Sequence, residues 1–199
     1  MTPTRADITG VVFAGGQGRR MGHVDKGLVL LDGRALVSHV IDRLAPQVGT
    51  LVVNANQNRE RYAALGYPVI PDVIGGFAGP LAGLAAGLAA AVTPWVATCP
   101  CDSPFLPLDL VRRLARAVES GTPDVAVART LNQPHPVFAL VRRDVAAHLD
   151  AFLQSGGRKI DAWYSTLRVA DVAFDDEAEA FRNINTASEL ASVVGGTAR

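Results

Sequence analysis

Ile8-Thr9-Gly10-Val11-Val12-Phe13, followed directly by Ala14-Gly15-Gly16-Gln17-Gly18-Arg19-Arg20-Met21-Gly22-His23-Val24-Asp25-Lys26-Gly27, decides how the rest of the chain is read. The first six residues form a β-branched, apolar run of strand length, and the glycines that follow stop it, which predicts a buried strand. At a glycine no Cβ blocks close approach, so the N–H groups of such a loop can wrap a polyphosphate. Arg19, Arg20 and Lys26 supply the cations a phosphate cradle needs.

Working outward, short apolar runs alternate with helical patterns. Val29 to Leu31 reads as a short strand reaching the Asp32-Gly33 turn. Leu36, Val37, Val40, Ile41 and Leu44 share one helical face, and Pro46 ends that helix. Strands are predicted at 51–53, 69–70, 95–98, 125–128 and 137–141, and helices at 59–65, 80–91, 108–118 and 143–153. Pro80 opens its helix at the first turn. Thr186-Ala187-Ser188-Glu189 fits a capping box that starts a last helix. Residues 156–181 are the least readable. This alternation predicts an α/β protein: a single domain over residues 1–199, three-layered and doubly wound, with a mostly parallel sheet between helices. In such folds the ligand lies outside the carboxyl ends of the strands, where the unusual residues cluster.

Two familiar phosphate loops fail against residues 15–27. The P-loop needs Gly-Lys-Ser/Thr after four spacer residues, and no lysine follows a glycine in that way. The dinucleotide fingerprint would need glycine at Met21, whereas Gly22 comes one residue late, which disfavours a dehydrogenase.

Further candidates follow the later strands. Asn54 can both donate to and accept from a base edge, or cap a turn. Asp72 suits a base edge that carries donors, or a ribose hydroxyl. Gly79 and Gly83 open a helix, where they serve capping and close packing. Asp102, in Cys99-Pro100-Cys101-Asp102-Ser103-Pro104, is stiffened by flanking prolines. Such a carboxylate suits Mg²⁺, which takes one or two carboxylates plus substrate phosphates. Its alternative is to cap the helix near Leu108. Asn183 and Asn185 point to one side if extended and could hydrogen-bond a heterocycle edge or a phosphate, or cap the next helix. His39 and His148 fall in helices and are expected at the surface.

Phe13-Ala14-Gly15-Gly16, Arg20-Met21-Gly22 and Asp25-Lys26-Gly27 together resemble the signature of the molybdenum cofactor guanylyltransferases. Pro100-Cys101-Asp102, His135-Pro136 and Asn183-Ile184-Asn185-Thr186 extend the resemblance over nearly the whole chain. Phe13 stands where the family usually has leucine, and His23 replaces a common glycine. The resemblance implies a nucleotidyltransferase that moves GMP from GTP to molybdopterin and releases pyrophosphate. It implies nucleotide contacts at Phe13, Ala14, Gly15, Gly16, Lys26, Asn54, Asp72 and Asp102, with the Phe13 contact made through backbone. It also implies a catalytic set of Arg20, Lys26 and Asp102, with Mg²⁺ on Asp102. Acceptor contacts at Gly79, Gly83, Asn183 and Asn185 follow too, as do molybdenum-insertion proteins and apo-molybdoenzymes as partners. A cytidylyltransferase of the same fold and a non-catalytic nucleotide-binding regulator are the competing readings.

Composition sets the bounds. The 199 residues are 49% hydrophobic and carry 19 basic and 19 acidic side chains, which suits a globular core and argues against a general nucleic-acid binder. Cys99 and Cys101 are too close for an unstrained disulfide and are expected as reduced core thiols. Met1 to Thr9 holds no signal-type apolar stretch. The segment from Leu81 to Val92 is too short and glycine-broken to span a membrane, so a cytoplasmic location with no membrane partner is expected.

Overall fold

The computed structural model describes residues 1–14, 25–73 and 79–184. Strand β1 is Ile8–Phe13, as its apolar run predicts. Leu30–Leu31 (β2) and Arg34–Ala35 (β3) form a two-stranded ladder. Their turn holds Asp32 and Gly33 at φ of 50° and 76°, the left-handed pair a two-residue hairpin requires. Helix α1 (Leu36–Leu44), β4 (Thr50–Asn54), α2 (Arg59–Ala63), β5 (Val69–Ile70), α3 (Pro80–Ala90) and β6 (Trp95–Pro100) complete the first half. Helix α4 (Leu110–Ala117), β7 (Val125–Thr130), β8 (Gln133–Arg142), α5 (Ala146–Gln154), α6 (Ile160–Tyr164) and β9 (Val169–Ala173) complete the second. The expected helix after Thr186 lies outside the described residues.

The seven-stranded sheet has the order β5-β4-β1-β6-β8-β7-β9. β4 and β6 pair parallel to β1 on its two sides, β5 is parallel to β4, and β9 is parallel to β7. β8 alone among these strands runs against its neighbours, pairing antiparallel with both β6 and β7. Alternate residues of each strand feed opposite faces, as the pleat dictates. Ile8, Val12, Val53 and Ala97 pack with α1 and α4, while Val11, Val96, Val127 and Val141 pack with α3, α5 and α6. No helix of the described residues is long and apolar enough to cross a membrane.

Helix α3 shows why its sequence is almost wholly small and apolar. Leu81 to Leu88 are all buried, so the helix has no solvent stripe over that span. Gly83 and Gly87, one turn apart, face the sheet. A Cβ on Gly87 would sit 2.8 Å from Val11, and one on Gly83 would sit 2.5 Å from the Asn54 amide oxygen. The two glycines let the helix press onto β1 and β4, and carry its start to the carboxyl edge of the sheet.

β1 enters the sheet first and its neighbours leave it in opposite directions. That is the crossover at which an α/β sheet opens a crevice at its carboxyl edge. Phe13, the last residue of β1, is in register with Asn54 on one side and Pro100 on the other.

Candidate active site

Three carboxylates stand along this edge, Asp72 and Asp102 just past strand ends and Asp25 on the segment that leads into Lys26. The first, Asp72, follows β5. Asn54 Nδ2 donates to its Oδ1 at 2.9 Å and Asn56 Nδ2 to its Oδ2 at 2.8 Å, while the Asp72 amide donates back to Asn56 Oδ1 at 2.9 Å. Asn54 is 2% exposed. Its second amide hydrogen goes to the Ile70 carbonyl at 3.3 Å, and its oxygen lies over Gly83. Both donors of Asn54 are therefore committed within the protein, and it meets the crevice through Asp72.

At the centre, the Ala14 amide donates to the Asn54 carbonyl at 2.8 Å and the Cys101 amide to the Phe13 carbonyl at 3.0 Å. These two backbone groups tie the three strand ends together, so the carbonyl of Phe13 and the amide of Ala14 are spent on the sheet. Gly15, Gly16, Arg20 and Asn185 lie outside the described residues.

The second carboxylate, Asp102, sits just past β6 and is 7% exposed. Lys26 Nζ stands 3.4 Å from its Oδ2. Burial pushes the Asp102 carboxyl above the ordinary carboxylate range, and the nearby Lys26 ammonium pulls against this without cancelling it. Helix α4 has Asp109 at its cap, so Asp102 does not serve as that cap.

Asp25, the third, lies one residue before Lys26. Tyr62 Oη donates to its Oδ1 at 2.5 Å and Asn58 Nδ2 to its Oδ2 at 2.9 Å. Gly27 lies directly over Tyr62: a Cβ there would be 2.5 Å from the tyrosine oxygen and 3.1 Å from Cys101 Sγ. Asp25 and Gly27 thus seat the segment on α2 and β6, and seating it there presents Lys26 to Asp102. Both cysteines are buried free thiols, pushed up by burial.

Beyond Asp102 the chain returns from 182–184. The Ile184 amide donates to the Asp102 carbonyl at 2.8 Å and Ser103 Oγ to Asn183 Oδ1 at 2.5 Å. Asn183 also lines an open cleft of about 1030 Å³ whose other walls are the β7–β8 hairpin and residues 178–182. His135 lies in its wall, stacked on Phe181 at 4.7 Å and within 2.7 Å of Thr130 Oγ1. Burial lowers the His135 pKa, which favours the neutral ring.

The structure therefore groups the sequence-predicted residues into two clusters, Asn54 with Asp72 and Lys26 with Asp102 and Asn183, joined through the backbone at Phe13 and Ala14. Gly83 lies apart from these roles as a packing contact between α3 and the sheet. Gly79, exposed at the start of α3, adopts φ 62°, a left-handed conformation that favours glycine. His39 departs from the surface role expected of it: it is half-buried, with Nε2 3.0 Å from the Leu31 carbonyl. His148 is exposed and accepts from Trp163 Nε1 at 3.0 Å. Sequence reading missed Asn56, Tyr62 and the Ser103–Asn183 contact. The signal for Asn56 was its spacing of two from Asn54 on an extended chain.

The family profile described as the MobA-like NTP transferase domain matches residues 10–169. The chain belongs to that family. MobA-like NTP transferases are nucleotidyltransferases, and the pairing of Lys26 with the buried Asp102 suits that enzyme class. The molybdenum cofactor guanylyltransferase of Cupriavidus necator is 51% identical over 191 residues, covering 94% of this chain and 96% of its own. The molybdenum cofactor guanylyltransferase of Bordetella petrii is 51% identical over 190 residues, with the same coverage. Among solved structures, molybdopterin-guanine dinucleotide biosynthesis protein A from Archaeoglobus fulgidus superposes with a TM-score of 0.77 over 95% of this chain and 98% of its own, at 24% identity. 4-Diphosphocytidyl-2C-methyl-D-erythritol synthase from Anaerococcus prevotii reaches 0.74 over 98% of this chain and 99% of its own, at 11% identity. That second likeness shows how far the MobA-like fold extends beyond its close sequence relatives.

Proposed function

We infer that this chain is a molybdenum cofactor guanylyltransferase, which transfers GMP from GTP to molybdopterin and releases pyrophosphate. The observation that carries the reading is Asp102: a buried acid at the carboxyl edge, facing Lys26 of the segment that leaves β1. The relatives named molybdenum cofactor guanylyltransferase support guanylyl transfer onto a molybdenum-cofactor precursor.

GTP lies along the edge with its base at Asp72, its triphosphate at the glycine-rich segment after β1, and its α-phosphate toward Asp102. The acceptor enters from the cleft beside Asn183 and His135. An oxygen of its terminal phosphate forms a bond to the α-phosphorus as the bond to the bridging oxygen of the β-phosphate breaks, and pyrophosphate carries that electron pair away. The attacking phosphate is already anionic, so no strong base is needed, and catalysis is mainly positioning and charge neutralisation. Lys26 contributes an ammonium to the triphosphate, and Arg20 is assigned the same work from the sequence.

The residues present fit a divalent ion of the Mg²⁺ type. Asp102 is a hard oxygen donor, partly paired and fixed by the Ile184 amide on its backbone, and one or two carboxylates with substrate phosphates are the usual Mg²⁺ set. No cluster of three or more ligating side chains is found among the described residues, which suits an ion shared with the nucleotide rather than caged by protein. When bound, such an ion neutralises charge on the phosphate oxygens of nucleotide and leaving group.

The test is one incubation: the chain with molybdopterin, Mg²⁺ and each of the four NTPs in turn. Pyrophosphate and a dinucleotide product are expected with GTP. Product with CTP instead would establish the cytidylyltransferase, and nucleotide binding without any product would establish the regulator.

A further inference from the structure

We propose that Asn56 is a positioning residue for base selection: with Asn54 it clamps the Asp72 carboxylate in the plane that reads the N1–H and N2–H donors of guanine. The inference rests on the guanylyltransferase reading and assigns the residues that make it selective.

A carboxylate offers about four lone-pair directions, two on each oxygen. In Asp72 each oxygen already accepts one amide hydrogen, from Asn54 on one side and Asn56 on the other. Among the described residues that leaves one direction on each oxygen, the number that a base edge with two donors requires. Guanine presents two adjacent donors on its pairing edge, whereas adenine and cytosine present an acceptor there. A carboxylate held in plane therefore makes two hydrogen bonds to guanine and at most one to adenine or cytosine, whose ring nitrogen meets it acceptor to acceptor.

The clamp is asymmetric. Asn54 is buried and gives one hydrogen to Asp72 and one to Ile70. Asn56 is half-buried and makes two bonds to the same residue, one through its amide NH₂ and one through its oxygen to the Asp72 backbone. This closed pair fixes the side chain of Asp72 relative to its own backbone, which Asn54 cannot do alone. The β4 ladder continues past its last residue, since the Ala55 amide donates to the Ile70 carbonyl at 3.0 Å. Extended backbone through Ala55 puts Asn54 and Asn56 on the same side.

The experiment is equilibrium titration of the full chain with GTP, ITP and CTP, each with Mg²⁺. ITP lacks the 2-amino group and nothing else. The unaltered chain should bind GTP about tenfold tighter than ITP, one hydrogen bond's worth, and bind CTP far more weakly. Asn56→Ala should lose about tenfold toward GTP and less toward ITP, narrowing the ratio, with the KM for molybdopterin unchanged. Asn56→Asp keeps the shape and serves where the alanine variant melts early. Its affinity for GTP should recover as pH falls from 8 to 6, when a shared proton replaces the lost amide hydrogen. An alanine variant, or a pH-independent aspartate variant, that keeps both GTP affinity and the GTP-to-ITP ratio of the unaltered chain overturns the clamp and leaves the guanylyltransferase reading standing. A chain that prefers CTP before any substitution overturns both.

Discussion

Asp102 and Asp124 are equally buried, each 7% exposed, and sit at opposite ends of the same sheet. Asp124 precedes β7, at the amino edge. Arg168 gives it hydrogen bonds from Nε at 2.9 Å, from a terminal nitrogen at 2.6 Å and from its backbone amide at 3.0 Å, and Arg142 adds another at 2.8 Å. Arg168, aided by Arg142, holds the Asp124 carboxyl down at about 2. Asp102, at the carboxyl edge, has a single lysine within 4.0 Å among the described residues, at 3.4 Å, and burial wins: its carboxyl is pushed up. The first acid is completed by the protein and ties the ends of β7, β8 and β9 together. Among the described residues the second is offset by one lysine only, which is the condition of a group whose partners arrive with substrate.

The sharpest way to break the comparison is to neutralise each acid in turn. Asp102→Asn should cut GMP transfer by about a thousandfold, the scale of losing a group that stabilises transition-state charge. Asp124→Asn should leave transfer within about twofold, as expected of a distant independent site. Steady-state pyrophosphate release checks both, and equal losses would erase the distinction.

Gly83→Ala tests whether the base end depends on packing. Its new Cβ would meet the Asn54 oxygen at 2.5 Å and the Phe13 ring at 3.0 Å. Overpacking of this kind costs about 1–3 kcal/mol, so the melting temperature should fall and the KM for GTP rise, with the KM for molybdopterin unmoved.

The pH dependence of stability should separate the acids by sign. Asp124 is depressed in the folded state, so its contribution is present above the unfolded value near 4 and is lost as pH falls toward 2. With Arg168 half-exposed, the contribution is about 1–2 kcal/mol. Asp124→Asn should therefore lower the melting temperature at neutral pH, and by progressively less toward pH 2. Asp102 is raised, so its ionised form opposes folding above its folded pKa, and Asp102→Asn should leave neutral-pH stability unchanged or higher. Thermal melts between pH 2 and 8 decide this, and a stabilising Asp124→Asn would contradict it.

The smallest effect is expected at Tyr62. Tyr62→Phe removes one donor to Asp25 while Asn58 keeps the other, a loss on the scale of about 1 kcal/mol. The turnover number should fall a few-fold as Lys26 loses definition, and an unaltered turnover would remove Asp25 from the positioning of Lys26.

The parts legible in the sequence were those set by local pattern. The run at 8–13, the Asp32-Gly33 turn, the face of α1 and Pro80 at the head of α3 each carry their own physics. The place of Asp102 just past β6 was legible for the same reason, being set by neighbours in sequence. Strand β8 was read as 137–141 but begins at Gln133, because Pro134 and Pro136 argue against a strand interior. They are tolerated where β8 runs past its last pairing with β6, at Thr98 and Ala139. Strand β9 was not read at all: its alternation is weak, and its place is fixed by β7 and by the Arg168–Asp124 contact, 44 residues apart in the chain. Asn56 and Tyr62 escaped because their partners, Asp72 and Asp25, lie 16 and 37 residues away.

The most direct measurement is a crystal structure of the chain with GTP and Mg²⁺. The guanine edge is expected on the Asp72 carboxylate and the triphosphate between the glycine-rich segment after β1 and Asp102, with the ion on Asp102. A nucleotide bound at another edge of the sheet, or one whose base contacts Asn54 while Asp72 stands apart, would contradict that placement.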